Sequence, residues 1–289
     1  MKTRRGDDQT TRLREERTNR AVAQSRSHPV ISLTTDFGTS DYFVGAMKGA
    51  ILSVCPSASI IDITHEIPAH DIHSGAFTLL ASYQSFPKQT VHVAVVDPGV
   101  GSARRPILVQ TRDYFFIAPD NGLLSYALQK ETDVKVFHLT NEKFFRPSVS
   151  ATFHGRDVFA PIAGAVASGI NVEELGNRIE DYIRLGSLNP IVEDEELKGS
   201  IINIDRFGNI VTNILPEHLT EEMREHGFVL KINEHEIIAH QRFYAAVKED
   251  EIFSIWGSAG FLEISAFKTP ASKLLNAQNG QEVFLFPKK

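Results

Sequence analysis

Residues 91–105 read VHVAVVDPGVGSARR, and the fold is decided here. Residues 91–96 are almost continuously apolar and rich in valine, the pattern of a strand buried on both faces. The run stops at Asp97, where Pro98, Gly99 and Gly101 turn the chain. The same strand-into-aspartate pattern occurs twice upstream, where residues 30–34 lead to Asp36 and residues 58–61 lead to Asp62. Between these strands Phe43, Ala46, Met47, Ala50, Ile51 and Val54 recur at helical spacing, with Ser40 or Asp41 placed to cap the start. Ile72, Ala76, Leu79, Leu80 and Tyr83 repeat that spacing. The order βαβαβ predicts a mainly parallel sheet with right-handed crossovers. Further strands are expected at 107–110, 114–118 and 134–139, and a helix over about 158–168 that ends at Gly169. In such sheets ligands bind outside the carboxyl ends of the strands. Acids gathered on one rim need a cationic ligand or nearby arginines, and Arg104 and Arg105 follow Asp97 closely.

The character of the chain changes near 186–198, where Glu193-Asp194-Glu195-Glu196 reads as a solvated linker. Beyond it come short alternating strands at 200–204, 210–214, 228–232, 236–240, 252–255, 261–266 and 282–286, with the turn signal Asn279-Gly280 before the last. The expectation is an α/β domain over 29–188 followed by a small all-β barrel over 198–289. Residues 1–28 are arginine-rich and poor in apolar side chains, as in a disordered tail.

Of 289 residues 42% are hydrophobic, enough for cores in two domains. A net charge of -6 argues against a nucleic-acid partner. The single cysteine, Cys55, cannot form an internal disulfide and reads as a small core residue. No apolar run approaches the ~18 residues of a membrane span, and the basic start is not followed by a secretory hydrophobic stretch. A cytoplasmic protein with a small-molecule partner is expected.

Several short motifs carry polar groups suited to chemistry. The loop Asp97–Arg105 can bring an arginine back over Asp97; from spacing alone this fits a structural ion pair as well as a functional one. Phe153-His154-Gly155-Arg156-Asp157 precedes a helix and offers a histidine, the side chain suited to proton transfer near neutral pH. Pro119-Asp120-Asn121-Gly122 reads as a tight turn. From Asp62 to His73 the chain supplies His65, Glu66, His70 and Asp71 as well, but Pro68 breaks the helical spacing a zinc helix needs, so no metal site is expected. In Asp205-Arg206-Phe207-Gly208-Asn209, Phe207 can stack on a planar base and Asn209 can bond its edge. Residues 256–263 add small residues, Ser258 among them, and the carboxylate of Glu263.

Taken together, Thr35-Asp36-Phe37-Gly38, Val96-Asp97-Pro98-Gly99-Val100-Gly101 with Arg104-Arg105, Pro119-Asp120-Asn121-Gly122, Thr152-Phe153-His154-Gly155-Arg156-Asp157 and Asp205-Arg206-Phe207-Gly208-Asn209 resemble the S-adenosylmethionine hydrolases, also called S-adenosylmethionine hydroxide adenosyltransferases, relatives of the fluorinase and chlorinase. The resemblance spans about residues 30–286. It implies an α/β domain, a β-barrel domain and a homotrimer with active sites between neighbouring chains. It implies hydrolysis of S-adenosylmethionine to adenosine and methionine, with no cofactor and no metal. The water-activating set falls on Asp97, Arg104 and His154. Asp36 falls on the ribose side, Asp205, Phe207 and Asn209 on the adenine side, and Ser258 and Glu263 near the base or the amino acid. After Ile264 the chain reads Ala266-Phe267-Lys268-Thr269-Pro270, where the family has an asparagine and a glycine-rich turn. The alternatives are a halogenase of the same superfamily, which carries an extra loop where this chain connects residues 83 and 91 directly, and a non-catalytic S-adenosylmethionine sensor.

Overall fold

The computed structural model describes residues 28–193 and 195–288. Apart from His28, the expected tail over 1–28 lies outside the described residues. The first unit is built from β1 (Val30–Thr35), α1 (Phe43–Val54), β2 (Ser59–Thr64), α2 (Ile72–Ser82), β3 (Val91–Val95), β4 (Pro106–Gln110), β5 (Phe115–Pro119), α3 (Ser125–Leu128) and β6 (Lys135–Leu139). A π-helical turn, Gly155–Phe159, then runs into α4 (Ala160–Ala167), and β7 (Gly176–Ile179) closes the unit.

Its seven strands lie in the order β2-β1-β3-β5-β4-β6-β7. The pairs β1–β2, β1–β3 and β3–β5 are parallel, as the βαβαβ pattern predicts. Beyond β5 the sheet turns antiparallel, because β4 folds back between β5 and β6 and β7 adds at the edge. The chain leaves β1 for β2 on one side and β3 on the other, so the crevice between β1 and β3 is the topological switch point. Asp36 and Asp97 follow those two strands. Asp62 does not share their position, since β2 runs on to Thr64 and the carboxylate pairs with Lys48 at 2.6 Å. Neither Ser40 nor Asp41 caps α1; Tyr42 occupies the cap position in helical conformation, without a side-chain cap bond. Asp71 caps α2 by accepting from the Ser74 N–H.

Apolar side chains cover both faces of this sheet. Met47 and Ile51 of α1 and Ile162 and Ala163 of α4 pack on Ile31, Leu33 and Val93. On the other face Ala76 and Leu79 of α2 and Ala127 of α3 pack on Ala94, Ile107 and Phe116. That second core also takes in Val211 and Phe261, so it joins the two halves of the protein.

The second unit holds β8 (Ile191–Glu193), β9 (Glu196–Ile204), β10 (Ile210–Thr212), α5 (Glu221–His226), β11 (Phe228–Ile232), β12 (His235–Ile237), β13 (His240–Gln241), β14 (Ile252–Trp256), β15 (Leu262–Ala266), α6 (Ala271–Leu274) and β16 (Glu282–Pro287). They form one nine-stranded sheet, curled into a half-barrel around Leu197, Ile210, Leu230, Ile264 and Leu285. Within the stretch read as a linker, β8 pairs antiparallel with the start of β9 and so joins the second sheet. The strand expected over 236–240 is two short ones, β12 and β13, which pair with different partners.

One close approach brings the two polar loops of the first unit together. Gly101 has φ +77, and a Cβ there would lie 2.2 Å from the Ala151 carbonyl oxygen, three residues before His154. Gly101→Ala should therefore push the loop after β3 away from the loop before the π turn. The expected cost is on the order of 1–3 kcal/mol of stability, read by urea denaturation, together with loss of whatever activity needs both loops.

Candidate active site

The loop after β3 folds back so that Arg104 lies over Asp97. Arg104 Nε donates to Asp97 Oδ1 at 2.9 Å and Nη2 donates to Oδ2. The two side chains are 8% and 5% exposed, so this fork is desolvated. Breaking such a pair strands a buried charge, at about 3–5 kcal/mol. Nη2 also donates to His154 Nδ1 at 2.8 Å, and the Phe159 ring backs the guanidinium with its centroid 5.3 Å away. Nη1 is buried without a hydrogen-bond partner among the described residues. The sequence-predicted trio of Asp97, Arg104 and His154 is thus one connected cluster.

An arginine only donates, so His154 Nδ1 must accept. The neutral ring then carries its proton on Nε2. Burial pushes the His154 imidazole below its ordinary value of 6.5, and the neighbouring Arg104 charge lowers it further. Three residues past His154 lies Asp157. That carboxylate is fully buried, takes a fork from Arg156 at 2.7 and 2.9 Å, and accepts from Ser150 N–H at 2.9 Å. Burial raises the Asp157 pKa, but the Arg156 and Ser150 bonds outweigh it and hold the group ionised.

Asp36, Asp97 and His154 line a cavity of about 280 Å³ at the switch point, walled by Phe37, Phe43 and Phe153. Phe153 meets Phe43 edge-on at 5.1 Å and Phe37 at 5.9 Å. One Asp36 oxygen, Oδ2, accepts from the His70 N–H at 2.9 Å.

Asp205, Phe207 and Asn209 are brought together elsewhere, in a second cavity of about 520 Å³ on the half-barrel. Asp205 Oδ1 accepts from the N–H groups of Phe207 and Asn209, and Oδ2 from the Asn209 amide, each at 2.8 Å. The carboxylate therefore organises the turn, and Phe207 is left 77% exposed at its tip. Tyr244 and residues 266–270 complete the lining, so the departure at Phe267–Pro270 lies at this cavity. Ser258 is exposed on the β14–β15 turn and lines neither cavity. Glu263 is buried; burial raises its pKa, and it accepts from the Tyr244 hydroxyl at 3.0 Å. Tyr244 is the cavity-facing member of that pair, with its own hydroxyl pushed up to about 12 by burial and the Glu263 charge.

Other motifs go elsewhere. Arg105 turns away to Asp120 and Asp181, and Asn121 donates to the Val96 carbonyl at 2.8 Å. The imidazoles proposed and rejected as metal ligands diverge: His65 bonds Thr35, His73 bonds Tyr126, and the His70 side chain is 73% exposed. A larger cavity, about 600 Å³, sits at the amino ends of the strands beside Pro29, Lys88 and Asn171, away from every acid of the switch point. Sequence reasoning missed Tyr244, the His70 backbone donor and the phenylalanine wall. Phe37, Phe43, Phe153 and His70 lie in stretches already singled out, but only tertiary packing shows that they share one cavity, as it shows Tyr244 at the other.

Residues 31–176 match the SAM hydroxide adenosyltransferase N-terminal domain, and residues 199–284 match the SAM hydroxide adenosyltransferase C-terminal domain. A protein of Methanocaldococcus jannaschii named (R)-S-adenosyl-L-methionine hydrolase is 39% identical over 264 residues, covering 88% of this chain and 94% of its own. A protein of the same name from Thermus thermophilus is 33% identical over 267 residues, 89% of this chain and 99% of its own. A fluorinase of an Actinoplanes species is 28% identical over 217 residues, 66% of this chain and 73% of its own. The crystal structure of an uncharacterized conserved protein from Thermotoga maritima superposes with a TM-score of 0.83 at 34% identity, covering 89% of this chain and 99% of that one. With both domains matched in order, and relatives of this similarity along most of its length, the chain belongs to the SAM hydroxide adenosyltransferase family.

Proposed function

We propose that this protein hydrolyses S-adenosyl-L-methionine to adenosine and L-methionine, with an activated water attacking the ribose C5′. The observation that carries this reading is the buried Asp97–Arg104–His154 cluster beside the switch-point cavity, in a chain whose relatives bear the hydrolase name. Those names specify the (R) sulfonium epimer. A new O–C5′ bond forms as the C5′–S bond breaks, and the bond pair leaves on sulfur as a neutral thioether. The leaving group therefore needs no acid, and alignment dominates; orientation can supply roughly 7–11 kcal/mol in the best cases.

Each member of the cluster has a distinct task in this reading. Arg104 stabilises hydroxide character on the water through its positive charge, which it holds directly behind Asp97 and His154. His154 presents Nε2–H to orient the water, because its Nδ1 is committed to Arg104. Asp97, which faces the cavity and can only accept, takes the proton released by attack. The phenylalanine wall excludes bulk water and so strengthens these charges. Asp36 binds the ribose hydroxyls, and Phe207, Asn209 and Tyr244 hold adenine. The reaction uses no cofactor or metal, because its leaving group departs unaided and its nucleophile is activated by side chains.

The two cavities share no lining residue. One chain thus offers a sugar-side half-site and an adenine-side half-site on different surfaces. We assign the complete site to a homotrimer in which the Phe207 turn of one copy covers the Asp36–Asp97 cavity of the next. The exposure of Phe207 and of Tyr42, at 68%, supports that reading. The setting is taken to be the cytoplasm, where S-adenosylmethionine is made; among the described residues no helix is long and apolar enough to cross a membrane.

Incubation with both sulfonium epimers of S-adenosyl-L-methionine in oxygen-18 water containing chloride, followed by mass spectrometry, should give adenosine labelled at O5′. Formation of 5′-chloro-5′-deoxyadenosine would assign a halogenase instead, and no product with either epimer would leave a binding protein. His154 acts neutral in this scheme. Its folded-state pKa is lowered, so kcat/KM should stay level down to pH 6.5 and fall only below it, as protonation sets a second N–H against Arg104. His154→Ala should bind adenosine normally and lose about 10²-fold or more in turnover; unchanged turnover would remove His154 from the mechanism. Sedimentation equilibrium should return three copies, and Phe207→Ala and Asp97→Asn chains, each inactive alone, should recover part of the activity when co-assembled.

A further inference from the structure

The Asp62-x-x-His65 motif does not line the cavity, yet it is tied to the strand end that leads into it. Thr35 is fully buried and His65 is 4% exposed. Thr35 Oγ1 lies 2.8 Å from His65 Nδ1 and accepts from the Phe37 N–H at 3.2 Å. His65 Nε2 lies 3.1 Å from Asp62 Oδ1, at an oblique angle that makes the attraction chiefly electrostatic, and Asp62 Oδ2 takes Lys48 Nζ at 2.6 Å. A carboxylate only accepts, so Asp62 beside Nε2 favours a proton on that nitrogen and leaves Nδ1 to accept from the Thr35 hydroxyl. The hydrogen bonds then run from Phe37 N–H to Thr35 and from Thr35 O–H to His65, while His65 Nε2, without a hydrogen-bond partner among the described residues, faces Asp62 through charge attraction.

The same loop grips the same turn through its backbone. Gly38 N–H donates to the His65 carbonyl at 2.7 Å, and the His70 N–H donates to Asp36 Oδ2 at 2.9 Å. His70 holds φ +68, a left-handed conformation that a side chain adopts at a cost, so its surroundings fix it there. Asp36 sits between these grips, with its side chain 9% exposed.

We propose that Thr35, His65 and Asp62 form a positioning relay that fixes the Asp36 carboxylate for the nucleoside, with His65 as its central residue. This rests on the hydrolase reading and on the ribose-binding role given to Asp36. Neither Thr35 nor His65 lines the cavity, so their influence on substrate passes through the turn of residues 35–38. A buried polar chain is costly unless each member is satisfied, and apolar residues would pack this strand end as well; what the polar chain adds is a single geometry for the turn.

The test uses the full-length protein with Thr35→Val, which keeps the shape and removes the hydroxyl, Thr35→Ser, which restores it, and Asp62→Asn at the far end. Thr35→Val should raise KM for S-adenosylmethionine and Kd for adenosine about tenfold, the effect of one lost hydrogen bond, while kcat changes much less. Thr35→Ser should recover most of the lost affinity, and Asp62→Asn should shift Kd in the same direction by less. In an Asp36→Asn background, Thr35→Val should add no further loss, because both changes act on one contact. Unchanged KM and Kd in Thr35→Val, or losses that add in the double variant, would overturn the relay. If Thr35→Val fails to fold, an Asp62→Asn protein that folds and binds adenosine like the wild type overturns it equally. A wild type that neither turns over S-adenosylmethionine nor binds adenosine would defeat the hydrolase reading itself. The crystal structure of Thr35→Val then decides the relay, and an unmoved Asp36 carboxylate counts against it.

Discussion

The Arg104 guanidinium joins Asp97, at the end of a central strand, to His154, fifty positions along the chain. A cation this deeply buried is tolerated only because a carboxylate takes two of its N–H groups and an imidazole takes a third. That requirement fixes three things at once. The loop after β3 must fold back, which the residues from Asp97 to Gly101 allow. The loop before the π turn must lie against it, which the absence of a Cβ at Gly101 allows. His154 must present Nδ1 inward, which leaves Nε2 for the cavity. The geometry that makes the ion pair stable is therefore the geometry the proposed chemistry uses.

Around that centre the same residue types take different parts according to what they face. Arg104 bridges Asp97 and His154, while its neighbour Arg105 ties the turn at Asp120 to Asp181. Asp36 and Asp97 open on the cavity, Asp157 is fully buried in a fork with Arg156, and Asp62 pairs with Lys48 nearer the surface. The histidines divide in the same way. Burial among Phe86, Tyr114 and Phe116 pushes the His92 imidazole down to about 3, so it serves as a neutral core ring. His154 sits at the cavity with a guanidinium on one nitrogen, and His65 bridges a threonine and a carboxylate. The π-helical turn that follows His154 belongs to the same economy of position, since an extra residue per turn redirects the chain where a side chain must be aimed.

The half-barrel contributes a different kind of constraint. It is attached through Phe261 and Val211 to the α2 face of the first sheet, whereas the switch-point cavity is walled by residues next to α1. The cavity at the Asp205–Asn209 turn accordingly shares no lining residue with the switch-point cavity of the same chain. In the proposed assembly that arrangement makes oligomerisation a condition of activity, because neither half-site encloses a nucleoside by itself.

Much of this was legible in the linear chain. The apolar runs ending in aspartate, the helical spacing of Phe43–Val54 and Ile72–Tyr83, and the alternation beyond residue 200 determine two units and their order, because periodicity and turn chemistry are local properties. The set Asp97, Arg104 and His154 could be named only through the family resemblance of their motifs, since spacing alone fits a structural ion pair as well. Tertiary structure alone decided that β4 returns antiparallel, that Ile191–Glu193 pairs with β9, and that Glu263 accepts from the Tyr244 hydroxyl. It alone placed His65 against Thr35 and Asp62 against Lys48. These outcomes depend on which distant atoms share a buried volume, and burial, not residue type, sets whether a carboxylate or an imidazole is a ligand, a base or a brace.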